Sequence, residues 1–244
     1  MSVGKEFMKN TRYQNLSPSA QESGLPQPPL ELPVPEGASL INLPRPDDLK
    51  IPEMDLSTAI NRRKTLRKYL EMPLTLEELS YLLWSTQGIK EISGSKHTWR
   101  TVPSAGARHA FETLLMVNRI ESLTPGIYRY IASQHALVEH DLSAGLADAL
   151  SEACLKQRKI GFSAVTFIWT AVAERMVYRY GQRGYRYLHL DAGHVCQNLY
   201  LAAEAIACGM CAIAAFDDEK VNQILGLDGE EQFTIYLASL GKRP

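Results

Sequence analysis

Nine of the thirteen prolines in this 244-residue chain fall between Pro18 and Pro52, and that crowding limits the fold before any motif is considered. Proline has no backbone donor and fixes φ, so 25-LPQPPLELPVPEG-37 can be neither a helix interior nor an inner strand. Residues 1–54 are therefore expected as an extended arm, either disordered or wrapped over a body or partner, with Leu40, Ile41 and Leu43 as anchors. A compact domain is expected over 55–244.

Within that domain the spacing predicts a helix over 56–62 and a second in 73-PLTLEELSYLLWSTQG-88. Thr75 and Glu78 make a capping box, and Leu74 with Leu79 can staple the entry. Leu76, Leu79, Leu82 and Leu83 share one apolar face, and Gly88 supplies the stop. Runs at 112–120, 126–132 and 136–140, with turn residues between them, read as antiparallel hairpins. An amphipathic helix is expected over 143–155. The most apolar run, 165-VTFIWTAVA-173, is expected as a central strand. The stretch 186–209 reads as a long helix, apolar around much of its circumference, buried in the core or at a subunit contact. Strands at 211–216 and 233–240, with a short helix near 217–225, complete the chain. Without a regular βαβ rhythm the class is α+β.

The 26 basic and 27 acidic residues nearly cancel, which argues against broad capture of nucleic acid or a membrane surface. No apolar run approaches the roughly 20 residues that span a bilayer. The first thirty residues hold no signal-peptide core, so a cytoplasmic protein is expected. Cys208-Gly-Met-Cys211 spells C-x-x-C, but a helix is expected to end near Cys208 and a strand to begin near Cys211. That is the reverse of the redox order, so the cysteines read as structural. His189 and His194 are five apart on a helix and diverge, so no metal site is expected. G-x-G-x-x-G, P-loop, G-x-S-x-G and H-E-x-x-H patterns are all absent.

Three clusters remain. In 62-RRKTLRK-68, five cations in seven residues form either a solvated helix end or a phosphate clamp. Lys242-Arg243 would add charge if the last strand returns to it. The small-residue turn Pro103-Ser104-Ala105-Gly106-Ala107, before Arg108-His109, is an ordinary turn or a place where backbone approaches something flat or anionic. In 174-ERMVYRYGQRGYRY-187, four tyrosines and four arginines suit a recognition surface, a subunit contact, a pocket wall, or an exposed helix and turn.

In this order the clusters resemble the FMN-dependent nitroreductase superfamily, specifically its azoline-oxidase branch of streptolysin-biosynthesis-type dehydrogenases. The pieces are Arg63-Lys64-Thr65-Leu66-Arg67-Lys68-Tyr69, 73-PLTLEELSYLLWSTQG-88, 100-RTVPSAGA-107, 125-PGIY-128, 180-YGQRGYRY-187, 193-GHVCQNLYLAAEA-205 and 215-AFDDEKVNQILGLDG-229. The resemblance runs from about residue 41 to the C-terminus. It implies a nitroreductase-like fold, with a central, mostly antiparallel sheet flanked by helices, and an intertwined homodimer with FMN at the subunit interface. Arg63, Lys64, Thr65 and Arg67 would meet phosphate and ribityl chain, and Lys242 or Arg243 would close on the phosphate. Pro103, Ser104, Ala105, Gly106 and Arg108 would come from the other subunit to the ring, with Ala214 and Ala215 near its face.

Two positions depart from the pattern. The branch's Lys-Tyr pair, which helps remove a proton, is Arg179-Tyr180 here, and an arginine that keeps its proton is a poor general base. Ala110 stands where the family usually has proline. The resemblance implies first an NAD(P)H-driven, ping-pong reductase of a small acceptor such as a nitroaromatic or quinone. The alternatives are a dehydrogenase of thiazoline or oxazoline rings in a peptide, with Tyr180 and Arg179 as the catalytic pair, and a non-catalytic flavin-binding module.

Overall fold

The strand-length apolar runs assemble into one seven-stranded sheet in the computed structural model, which describes residues 2–94 and 97–244. The strands are β1 (Leu40–Asn42), β2 (Ile89–Ser93), β3 (His97–Arg100), β4 (Phe111–Val117), β5 (Gly126–Ile131), β6 (Ala136–Asp141), β7 (Val165–Val172), β8 (Cys208–Ile213) and β9 (Gln232–Lys242). The sheet order is β1-β6-β5-β4-β7-β9-β8, with every neighbouring pair antiparallel. Strands β2 and β3 form a separate hairpin. The helices are α1 (Val3–Asn10), α2 (Leu56–Arg62), α3 (Leu76–Gln87), α4 (Leu146–Ala153), α5 (Lys159–Phe162), α6 (Ala173–Tyr180), α7 (Gly184–Ala205) and α8 (Asp218–Ile224). The α+β class expected from the element rhythm is the class found.

Side chains alternate across a strand, so each central strand feeds two cores. From β7, Val165, Phe167, Trp169 and Ala171 enter the core that holds Leu79, Leu82 and Leu83 of α3 and Leu188, Val195 and Leu199 of α7. Ile168, between them, enters the opposite core with Leu150 of α4 and Val221 of α8. Helix α3 is built as its sequence dictates: Thr75 Oγ1 accepts from the Glu78 N–H (3.1 Å), and the Glu78 carboxylate accepts from the Thr75 N–H (3.0 Å).

Residues 2–50 lie along this body. The arm's β1 pairs with β6 as an edge strand, and Leu43 enters the core. Further upstream the arm is held through its backbone. Arg175 Nε donates to the Pro29 carbonyl (2.7 Å), and Arg129 Nη2 to that of Pro33 (2.6 Å). The Leu32 N–H donates to Glu112, which also pairs with Arg175 at 2.6 Å, both side chains almost wholly buried. Proline lacks the N–H that an inner strand must donate, yet its carbonyl remains a good acceptor, and arginine forks reach it.

Three local readings change. The arm is not extended throughout: α1 occupies Val3–Asn10, upstream of the first proline, Pro18, where nothing bars a helix. The β2–β3 hairpin was not anticipated, because its short, half-exposed strands lack an apolar run. The helix before the C-x-x-C motif ends at Ala205, earlier than expected, because Ala207 adopts a left-handed φ of 52°. Cys208 and Cys211 therefore both lie on β8, three residues apart and on opposite faces, and both are buried and unpaired. Burial pushes the Cys154, Cys196 and Cys208 thiols up to about 12, where they carry no thiolate reactivity.

Candidate functional site

The basic segment after α2 is seated on the sheet by a pair of glycines. Gly209 of β8 and Gly241 of β9 are register partners. A Cβ at Gly209 would collide with the Leu66 side chain, and one at Gly241 would lie 2.9 Å from Tyr69 Cβ. Across that bare patch Leu66 N–H donates to the Met210 carbonyl (2.9 Å), and Leu70 N–H to that of Lys242 (3.0 Å). The Tyr69 hydroxyl lies 2.9 Å from the carbonyl and the hydroxyl of Ser239. The cluster at 62–68 and the terminal pair Lys242-Arg243 are thereby brought together, which the sequence alone left open.

Their electrostatics are uneven. Lys242 pairs with Glu78, and Arg243 with the buried Glu204, which Arg62 approaches at 3.8 Å. The Arg63 guanidinium stacks 5.1 Å above the Tyr200 ring, and the Thr65 hydroxyl bonds to the Tyr200 hydroxyl (3.0 Å). Lys64 and Arg67 are exposed and make no ion pair among the described residues. Seven cations thus share two carboxylates. Such a donor set, with a threonine hydroxyl in it, fits a phosphate monoester. Ala214 and Ala215 are exposed just past β8, and the Ala215 carbonyl accepts from Gln157 (2.7 Å).

The small-residue turn lies against a different part of the molecule. Ser104 leads into a short 3-10 turn at Ala105–Ala107, where Gly106 adopts φ 56°. The Ala105 N–H donates to the Asp191 carboxylate of α7 (3.2 Å), and the Ser104 hydroxyl accepts from the His109 N–H (2.9 Å). Burial raises the Asp191 carboxyl, while the Ser104 and Ala105 donors pull it back. Arg108 turns toward its own turn and the arm, donating to the Gly106 carbonyl (3.1 Å) and Gln27 (3.1 Å). Pro103 and Ser104 border a cleft shared with Arg179.

The glycine in this turn is required by Arg179-Tyr180. A Cβ at Gly106 would lie 2.5 Å from the Tyr180 hydroxyl and 2.8 Å from Arg179 Cδ. Tyr180 packs edge-on against Tyr187 (4.8 Å), whose hydroxyl accepts from Arg183 Nε (2.7 Å). Arg183 in turn lies over Tyr13 of the arm (5.1 Å). The tyrosine–arginine cluster is therefore a wall between the turn and the arm, not a free surface. A cleft of about 730 Å³ between Tyr180, Arg183 and residues 13–22 opens on its far side. The Tyr180 hydroxyl has no partner among the described residues, so it remains open to a ligand.

Asp191, which holds the turn, and Tyr200, which holds Thr65, are nine residues apart on α7. That is two and a half turns, so they occupy opposite sides of the helix, about 13 Å apart along its axis. Within one chain the turn and the cation cluster point away from each other. Sequence reasoning missed Glu78, Glu204, Asp191 and Tyr200; the charge density of 62–68 gave no sign of which carboxylates and hydroxyls position it.

A model described as the nitroreductase family matches residues 60–242. A protein of Methanocaldococcus jannaschii named as a nitroreductase is 34% identical over 193 residues, 79% of this chain and 93% of that one. A solved structure of a nitroreductase from Anabaena variabilis matches with TM-score 0.66 and 30% identity, over 78% of this chain and 38% of that chain. The trifolitoxin-processing protein TfxB of Rhizobium leguminosarum bv. trifolii is 29% identical over 157 residues, 62% of this chain. This chain spans only 41% of TfxB, and under half of the Anabaena protein.

Proposed function

The chain belongs to the nitroreductase family, and from that premise we propose that it is an FMN-dependent oxidoreductase. It takes reducing equivalents from NAD(P)H and passes them to a small acceptor such as a nitroaromatic or quinone, in ping-pong fashion. The observation that carries this reading is the cation segment seated on the Gly209–Gly241 patch, with Lys64 and Arg67 left unpaired. Arg63, Lys64, Thr65 and Arg67 would hold the phosphate, with Lys242 and Arg243 adding charge from behind their carboxylates. The bound flavin supplies the hydride chemistry. The protein's own work is to bind, to orient and to exclude water.

The divergence of turn and cations around α7 supports a homodimer in which Pro103, Ser104, Ala105 and Gly106 of one chain complete the site of the other. Leu56 and Ile60 of α2 and Leu190 of α7 are more than half exposed, an apolar surface that a second copy would cover. The test is an absorbance spectrum followed by anaerobic NAD(P)H titration against a panel of acceptors. A yellow, dimeric protein bleached by NAD(P)H and recoloured by acceptor is the expected result. Lys64→Ala with Arg67→Ala should lose FMN while leaving the melting temperature of the FMN-free protein unchanged, since both side chains are exposed. A protein colourless after reconstitution with FMN would defeat the proposal.

The similarity to a toxin-processing protein favours a second reading, dehydrogenation of a thiazoline or oxazoline in a peptide. The Tyr180 hydroxyl, open and beside Arg179, is the group available to hold or move a proton. An oxygen-dependent loss of two mass units from a heterocyclised peptide, raised by Arg179→Lys, is the result that would favour it.

A further inference from the structure

The arm meets α6 and the start of α7 through its backbone, in consistent order. Arg186 Nη2 donates to the Met8 carbonyl (2.6 Å) and Arg183 Nη1 to that of Thr11 (2.8 Å). The Tyr178 hydroxyl donates to the Leu25 carbonyl (3.2 Å) and Arg175 Nε to that of Pro29 (2.7 Å). The Gln21 N–H returns a bond to the Tyr178 carbonyl (2.9 Å). The arm thus runs antiparallel to these helices, and four side chains donate to a group that every peptide residue carries. On this face the arm's side chains add the Thr11 hydroxyl, which accepts from Arg186 Nε (2.7 Å), and the rings of Phe7 and Tyr13 beneath Arg186 and Arg183.

The grip is light for its length. Among residues 2–39, Thr11, Ser19 and Pro28 are buried and the others are not. No leucine, valine or aromatic ring of that stretch joins either apolar core; β1 and Leu43, further along, hold the chain to the sheet. A segment with few buried apolar contacts opens at a small fraction of the global stability. Between its anchors at Thr11 and Leu25 the arm stands over the cleft of about 730 Å³ that has Tyr180 in its wall. The Tyr180 hydroxyl, in turn, lies 2.5 Å from the place a Gly106 Cβ would take. The middle of the arm's path is therefore next to the small-residue turn.

We propose that this face is a track for an extended peptide supplied in trans, which the arm fills in cis and gives up when the peptide docks. The four anchors ask for carbonyls and for no N–H, so residues that lack one, proline among them, fit along it. A peptide on the same anchors passes over Tyr180 and brings one of its residues to the small-residue turn. The inference rests on the peptide reading above for its chemistry, and on the carbonyl anchors alone for its binding.

The test is fluorescence anisotropy of the purified full chain with two labelled synthetic peptides, one of residues 7–33 and one of the same residues in permuted order. A tethered arm competes at an effective concentration on the order of millimolar, so both should bind the unaltered protein weakly. Thr11→Val and Tyr13→Ala loosen the arm and leave the track intact, and each should tighten both peptides about fivefold. Tyr13 is 70% exposed, so its variant covers a failure of Thr11→Val to fold. In the Tyr13→Ala protein, saturating permuted peptide should accelerate amide exchange at Gln21 and Leu32, whose N–H groups donate to Tyr178 and Glu112. Unchanged affinity in both arm variants would overturn the proposal, as would binding that leaves those two amides protected. Binding of the native order alone would also overturn it, and would assign the face to the arm of a second copy. A heterocyclised peptide that binds and releases the arm, yet never loses two mass units, defeats the peptide reading alone. Loss of two mass units with the arm still protected defeats this one alone.

Discussion

Gly106→Ala isolates the contact between the small-residue turn and Arg179-Tyr180. At φ 56° an alanine has a strained backbone, at about 1–2 kcal/mol, offset by about 0.4–1 kcal/mol from the stiffer unfolded chain. Gly145→Ala meets a similar backbone problem at φ 85° with nothing within 4 Å of the new Cβ, so it should cost about 1 kcal/mol or less. Gly106→Ala also drives its Cβ to 2.5 Å from the Tyr180 hydroxyl. Arg179 is exposed and can swing aside. Tyr180 is pinned by Tyr187, which Arg183 holds, so the collision should add about 1–3 kcal/mol. Thermal unfolding should therefore separate the two alanine variants by about 2–10 °C for a chain of this length. Tyr180→Phe removes the atom struck. In that background the Gly106→Ala penalty should shrink, with a coupling of about 1–2 kcal/mol in a double-mutant cycle. If Gly106→Ala melts with Gly145→Ala, and the cycle is additive to within about 0.5 kcal/mol, the turn is small for some reason other than Tyr180.

Three other expectations follow from buried groups. Glu112→Gln leaves the Arg175 guanidinium buried without its counter-charge and should destabilise by about 3–5 kcal/mol by denaturant unfolding. Pairing Glu112→Leu with Arg175→Met should recover most of that loss. His109 keeps a neutral ring down to about 3, chiefly through burial, against 6.5 for a free imidazole. The unfolded chain thus binds the extra proton between those values, and stability should fall as pH drops from 6.5 toward 3. His109→Asn, which tolerates the left-handed backbone there, should flatten that limb in pH-dependent melting. The Tyr178 hydroxyl donates to the Leu25 carbonyl (3.2 Å), so removal of residues 2–33 should expose Arg175, Arg129 and Tyr178 together, seen as accelerated amide exchange across α6 and β5.

What the sequence made legible was local. Thr75 and Glu78 announce their helix because cap and box lie within one turn, and β7 announces itself because eight consecutive residues suit a strand with both faces covered. The fate of the proline-rich arm was not legible, since its partners are 96 residues away for Pro33 and 146 for Pro29 and are reached through carbonyls that every residue possesses. The same distance hid the partners of the tyrosine–arginine cluster, of which a pocket wall was one reading. Arg183 and Arg186 look like recognition groups, but they donate to the Thr11 carbonyl and the Thr11 hydroxyl of the arm. Arg179 and Tyr180 line the clefts without a hydrogen bond to the arm among the described residues, whereas Arg183 lines one while bonded to it. The cations at 62–68 differ in kind. Charge density marks a site whatever the fold, and the fold decides only which of them stay unpaired. Gly209 and Gly241 make that decision silently: two ordinary strand glycines, 32 positions apart, become a site feature only when register sets them side by side and Leu66 and Tyr69 lie across the gap.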